Sequence, residues 1–143
     1  MKAFRTEVSI DASQERVWSI LSDFGNYPLW NPFILQVSGR AGLKETLRLT
    51  VKLSFFPPVR FSACIDSFVP GERIGWRAVF LNGLLEARHW FELSGPDSGS
   101  TRLVHSEEFT GVLSGPLLAV LSRAFKNGYV LMNLALKSAS ERS

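Results

Sequence analysis

Cysteine, histidine and long apolar runs are all scarce in this chain, and each scarcity narrows what it can be. The single cysteine, Cys64, rules out an internal disulfide framework and suits a reducing compartment. It shares a strand phase with Ser62 and Asp66, so it reads as a bystander rather than a catalytic thiol. No apolar run reaches the ~20 residues needed to span a bilayer, and Met1-Lys2-Ala3-Phe4-Arg5 lacks the apolar core of a signal peptide. The expected location is cytoplasmic, without stable membrane insertion. Lys and Arg exceed Asp and Glu by only 3, 16 against 13, and the two signs are interspersed. That is no nucleic-acid groove. A nucleophile elbow, a P-loop and a dinucleotide fingerprint are also missing, as are repeats and linkers, and no cofactor is implied.

What is present is an ordinary globular composition, 45% hydrophobic and 20% charged over 143 residues. Residues 1–143 are read as one domain, large enough to bury roughly 68–70% of its unfolded surface. Phe4, Thr6, Val8 and Ile10 alternate with polar neighbours, as in a strand. Asp11-Ala12-Ser13 offers capping side chains, with Glu15 in the first turn of a helix carrying Val17, Ile20, Leu21 and Phe24. That helix is expected to stop at Gly25, and Leu29-Trp30-Asn31-Pro32-Phe33 to form a short second helix or turn.

From Gln36 the period is two. Short strands are expected near Gln36 to Arg40, then along Leu47 to Leu53, Phe61 to Ile65 and Ile74 to Phe80. Asn82-Gly83 is the strongest turn signal, suited to a two-residue type I′ hairpin. Two more strands follow, Leu85 to Leu93 and Leu103 to Phe109. Ser114-Gly115-Pro116 opens a long helix with Leu117, Leu118, Leu121, Phe125, Met132 and Leu136 on one face. Gly128 inside that helix signals a kink or a close contact. The fold class is therefore α+β: a curved seven-stranded antiparallel sheet wrapped around a long C-terminal helix, with two short helices after the first strand. A sheet with one apolar face needs a cover, and this arrangement leaves room for an interior cavity.

The last two strands carry polar residues in the apolar phase. Leu85, Ala87, His89, Phe91 and Leu93 form one face of the first, and Leu103, His105, Glu107 and Phe109 form one face of the second. Strand side chains alternate sides, so His89, His105 and Glu107 point inward, where an unpaired polar group is costly. A two-residue turn at Asn82-Gly83 pairs Leu81 with Leu84 and sets Phe80 opposite Leu85, Trp76 opposite His89, and Ile74 opposite Phe91. His89 then faces either His105 or Glu107. His105-Ser106-Glu107 is no catalytic triad, because neighbours on a strand point to opposite sides.

The element order and several stretches resemble the START-like superfamily, also called the Bet v 1-like or helix-grip fold. The nearest likeness is to its polyketide cyclase/dehydrase and lipid transport branch (SRPBCC proteins). The residues carrying it are Ile10-Asp11-Ala12-Ser13 with Val17-Trp18, then Tyr27-Pro28-Leu29-Trp30-Asn31-Pro32-Phe33. Further ones are Pro70-Gly71-Glu72-Arg73-Ile74-Gly75-Trp76, His89-Trp90-Phe91-Glu92-Leu93 and Thr101-Arg102-Leu103-Val104-His105-Ser106-Glu107. The resemblance implies a hydrophobic ligand chamber between sheet and C-terminal helix. It implies no universal catalytic residue.

Four readings stay open for the patch of Trp76, His89, His105 and Glu107. It is a satisfied polar cluster, or an anchor for the polar head of a ligand. It is an acid–base set with His89, His105 and Glu107 as catalytic candidates, or a zinc site. The last lacks a recognised ligand spacing, so no metal is expected. Around it, Phe91 and Phe109 share the inward face, and Trp30, Phe33, Phe55 and Phe56 suit either a cavity mouth or a sealed core. Phe125, Tyr129, Met132 and Asn133 of the last helix suit either the chamber or packing, with Tyr129 and Asn133 as hydrogen-bonding anchors. Trp90 falls on the outer face with Val79 and Val104, a patch that would suit a homodimer contact. The expected function is binding or transport of a small hydrophobic or amphipathic molecule such as a lipid, isoprenoid or aromatic polyketide. A cyclase, aromatase or dehydratase and a protein-interaction or escort module are the alternatives.

Overall fold

The computed structural model describes residues 2–54, 56–97 and 99–142. The chain runs as β1 (Lys2–Ile10), α1 (Gln14–Leu21), a 3-10 turn (Phe24–Leu29), and the strands β2 (Ile34–Ser38), β3 (Thr46–Val51), β4 (Val59–Val69), β5 (Arg73–Phe80), β6 (Leu85–Asp97) and β7 (Ser100–Thr110). It ends in α2 (Ser114–Glu141). The seven strands form one antiparallel sheet in the order β1-β7-β6-β5-β4-β3-β2. Every connection is thus to a neighbour except the one from β1 across to β2, which α1 and the 3-10 turn make. This is the expected α+β helix-grip architecture, with β1 and β2 at opposite edges.

Local chemistry accounts for the ends of the elements. Ser13 caps α1, its Oγ accepting from the Arg16 N–H at 3.1 Å. The helix stops at Leu21, four residues before the glycine expected to end it. There the Ser22 hydroxyl donates to the Trp18 carbonyl at 2.7 Å and the buried Tyr27 hydroxyl takes the Leu21 carbonyl at 2.6 Å. Those bonds divert the chain into the 3-10 turn, which tolerates Pro28. The second helical piece therefore precedes Trp30, and 30–33 is a loop held by Asn31, whose Oδ1 accepts from the Phe33 and Ile34 N–H groups. Buried Ile34 starts β2 two residues earlier than its alternation suggests.

The β5–β6 connection keeps the expected register by a different turn. Leu81, Asn82 and Gly83 all have positive φ (53, 54 and 94°), so Leu81 to Leu84 curls into a four-residue loop. Leu81 and Leu84 do not pair as strand residues. Phe80 still faces Leu85, Trp76 faces His89 and Ile74 faces Phe91, because both turns close on the same flanking pair. On the following hairpin His89 faces Glu107 and Phe91 faces His105.

The two halves of α2 meet the sheet differently. Tyr129, Met132, Leu136 and Ala139 are buried against the core, whereas in the first half Leu118, beside Ala87 and Phe109, is the only buried apolar side chain and Leu117, Leu121 and Phe125 are half-buried. Gly128 marks the changeover: a Cβ there would lie 2.4 Å from Cδ1 of Phe33. The glycine lets the helix backbone rest directly on that ring, which is a close contact of the kind its position in the sequence suggests.

A buried polar chain beside an apolar cavity

The concave faces of β5, β6 and β7 build the wall of the site. Trp76 lies flat on His89, ring centroids 5.3 Å apart and planes 16° from parallel, as cross-strand opposition requires. One step along the same face, Ala78 stands opposite Ala87. These two side chains end at Cβ, and large neighbours flank them: Trp76 and His89 on one side, Phe80 and Leu85 on the other. A cavity of about 400 Å³ occupies the space. Phe33, Phe61, Phe109, Leu117, Leu121 and Phe125 close it from the remaining sides. Its lining includes Val59 and Leu81, 48% and 65% exposed, so the mouth lies at the β5–β6 loop near the start of α2. Apart from the Trp76 indole nitrogen, the polar side chains in this lining belong to His89 and Glu107.

Behind those two residues the polar groups form a chain with a definite direction. The Thr6 hydroxyl donates to the His105 carbonyl at 3.2 Å, so it accepts from Asn133 Nδ2, 2.7 Å away. That orients the amide with Oδ1 toward His105 Nδ1, at 2.7 Å. An amide oxygen only accepts, so Nδ1 carries the hydrogen. Burial, with His89 adding repulsion, pushes the His105 pKa well below its usual value. The ring is neutral and its Nε2 is a lone pair. His89 Nε2, 2.6 Å away, must donate to it.

The other end follows from the same logic. His89 Nδ1 sits 3.3 Å from Glu107 Oε1, and the Tyr129 hydroxyl donates to that same oxygen. Glu107 raises the Tyr129 pKa further above a value already lifted by burial, so this phenol keeps its proton. The second His89 nitrogen is thus turned toward the carboxyl oxygen that Tyr129 already holds. His89, His105 and Glu107 are 5%, 0% and 7% exposed. Polar groups buried at that depth need partners.

Of the residues singled out in the sequence, Phe33, Trp76, His89, Glu107, Phe109 and Phe125 line the cavity. Phe91, His105, Tyr129, Met132 and Asn133 are buried in the layer behind it. His105, Tyr129 and Asn133 reach the cavity only through His89 and Glu107. Trp30 packs edge-on against Tyr27, outside the lining. Phe56 is exposed and also outside it, and Phe55 lies outside the described residues. Trp90, on the convex face, is covered by Arg73 and Arg88 at 5.5 and 5.7 Å; Val79, which pairs with Glu86 rather than Trp90, is exposed, while Val104 is buried. The sequence reading did not assign Ala78, Ala87, Leu121 or Thr6 to the site. The two alanines had a signal: small residues in phase with tryptophan, histidine and phenylalanine. Thr6 had none.

Among the described residues no three of His, Cys, Asp and Glu converge as metal ligands. No described helix is long and apolar enough to cross a membrane.

A curved sheet gripping a long helix, with an apolar chamber between them, defines the START-like, Bet v 1-like class of folds. Within that class, residues 1–141 match the family model described as polyketide cyclase / dehydrase and lipid transport, and the chain belongs to this family. Similar solved structures include the Zhui aromatase/cyclase from Streptomyces sp. R1128. It is 18% identical, with a TM-score of 0.81 over 99% of this chain and 94% of that one. A START superfamily protein from Mycobacterium smegmatis is 23% identical, with a TM-score of 0.73 over 97% of both chains. A norcoclaurine synthase mutant from Thalictrum flavum, solved with a transition-state analogue, is 13% identical, with a TM-score of 0.71 over 97% of this chain and 93% of that one. At these identities the likeness is one of fold. Among curated proteins none matches.

Proposed function

We propose that this protein binds or carries a small, mostly apolar molecule in the cavity facing Ala78 and Ala87. The observation that carries the reading is the hollow itself. It holds about 400 Å³, a volume within the roughly 300–1,000 Å³ of small-molecule sites, and such sites combine apolar walls with a few polar anchors. Burying large side chains there would stabilise the fold by about 0.8 kcal/mol per methylene, yet the wall carries alanines. Family membership supports the same reading. Native mass spectrometry or organic extraction of the purified protein is expected to release a bound apolar molecule. Ala78→Leu should fill part of the cavity and weaken binding of a hydrophobic probe at least tenfold, while stability is kept or rises by up to about 2 kcal/mol. Unchanged probe affinity in that variant would place the site elsewhere.

One observation favours a second reading, a cyclase- or dehydratase-type enzyme. The chain from Thr6 through Asn133 and His105 ends on His89, which stands beside the Glu107 carboxyl at the cavity wall, two groups of the kind that carry protons. General acid–base groups typically contribute 10²–10⁴-fold in rate. Under this reading His89→Gln would lower turnover of a polyketide-type substrate at least a hundredfold with binding largely intact. Unchanged turnover would eliminate that role.

A further inference from the structure

From the bonding pattern at the cavity wall we infer that the ligand meets Glu107 through a donating hydroxyl, as in an alcohol or phenol, rather than through a carboxylate. The inference deepens the binding reading above and rests on it. His89 Nε2 is taken by His105, and its Nδ1 faces Glu107 Oε1 at 3.3 Å. That oxygen accepts from Tyr129. The second Glu107 oxygen, Oε2, has no hydrogen-bond partner among the described residues, although the residue lines the cavity and is almost wholly buried. A carboxylate oxygen only accepts, so the ligand group that satisfies it must donate.

Two features select the head group. The walls are otherwise apolar, so a group brought there is desolvated and must be paired. An anionic head would face the unshared oxygen of a carboxylate and be repelled. A hydroxyl needs neither a counter-charge nor a second donor from the wall. It can also accept, and the indole N–H of Trp76 likewise has no partner among the described residues. A hydroxyl-bearing hydrophobe therefore matches the wall in charge and in hydrogen-bond sense. A fatty carboxylate does not.

Isothermal titration at pH 7.5 with 2-naphthol, 2-methoxynaphthalene and 2-naphthoate tests this, because the three share one ring system and differ in the head group. A hydrogen bond to a charged acceptor sets the expected scale, so 2-naphthol should bind about tenfold to a hundredfold more tightly than 2-methoxynaphthalene. 2-Naphthoate should bind most weakly. Glu107→Gln should shrink the naphthol preference below about threefold and raise the relative affinity of naphthoate. Equal binding of all three by the wild-type protein would overturn the inference and leave the cavity reading standing. Saturable binding of none would overturn both. The wild-type ranking needs no variant, so a misfolded Glu107→Gln would not blunt the test.

Discussion

Removing the Tyr129 hydroxyl probes the charge on the cavity wall most directly. Tyr129→Phe keeps the ring that packs against Phe4, Phe33 and Phe125, so apolar burial hardly changes. The loss is the O–H that donates to Glu107 Oε1. A hydrogen bond to a charged group contributes roughly 1.5–3 kcal/mol, against about 0.5–1.5 kcal/mol between typical partners. Tyr129 is 1% exposed, so the bond is lost in a buried site. The expected loss at pH 7.5 is about 2 kcal/mol, or a Tm lower by roughly 6 °C for a domain of this size. Urea unfolding followed by circular dichroism reads it, provided the m-value is unchanged. On a Glu107→Gln background the acceptor is neutral, and the same substitution should cost about 1 kcal/mol or less. Equal losses in both backgrounds would refute a charged acceptor at Glu107, as would a wild-type loss below about 0.5 kcal/mol.

Two further perturbations address the layer behind the cavity. His105 has its folded-state pKa depressed by burial and by His89, with Asn133 opposing. As pH falls through about 6.5 the unfolded chain takes up a proton there that the native protein refuses. Stability is therefore full above that pH and declines below it, by about 1.4 kcal/mol per pH unit for one proton. The decline from pH 7.0 to 5.5 should be shallower in His105→Gln by that amount, and equal slopes would show that His105 is not the group refusing the proton. Gly128→Ala sets helix propensity, which favours Ala by about 1 kcal/mol, against a Cβ only 2.4 Å from the Phe33 ring. Overpacking of this kind costs about 1–3 kcal/mol, so the net effect in urea unfolding should be destabilising, with Phe33 displaced toward the cavity. A more stable variant would mean that the ring yields freely.

Strand alternation alone placed His89, His105 and Glu107 inside, since period-two geometry belongs to the backbone and reads directly from spacing. The cross-strand pairs Trp76–His89 and Ile74–Phe91 were legible for a related reason. Their register needs only the flanking pair Phe80–Leu85, which both a two-residue and a four-residue turn preserve. The end of α1 was not legible, because bonds from Ser22 and Tyr27 override the glycine signal. Nor could spacing separate Glu107, which borders the cavity, from His105, which lies behind it: both occupy the same face of one strand.

The sequence by itself determined the α+β architecture, the inward polar trio and the family features that accompany them. Only the tertiary structure decided which inward residues border empty space, and that Thr6, Asn133 and Tyr129, remote in the chain, complete the polar network. The physical reason is that facing direction is a local property of the backbone. A void is the volume that distant segments together fail to fill, here where Ala78 and Ala87 meet the loosely seated first half of α2.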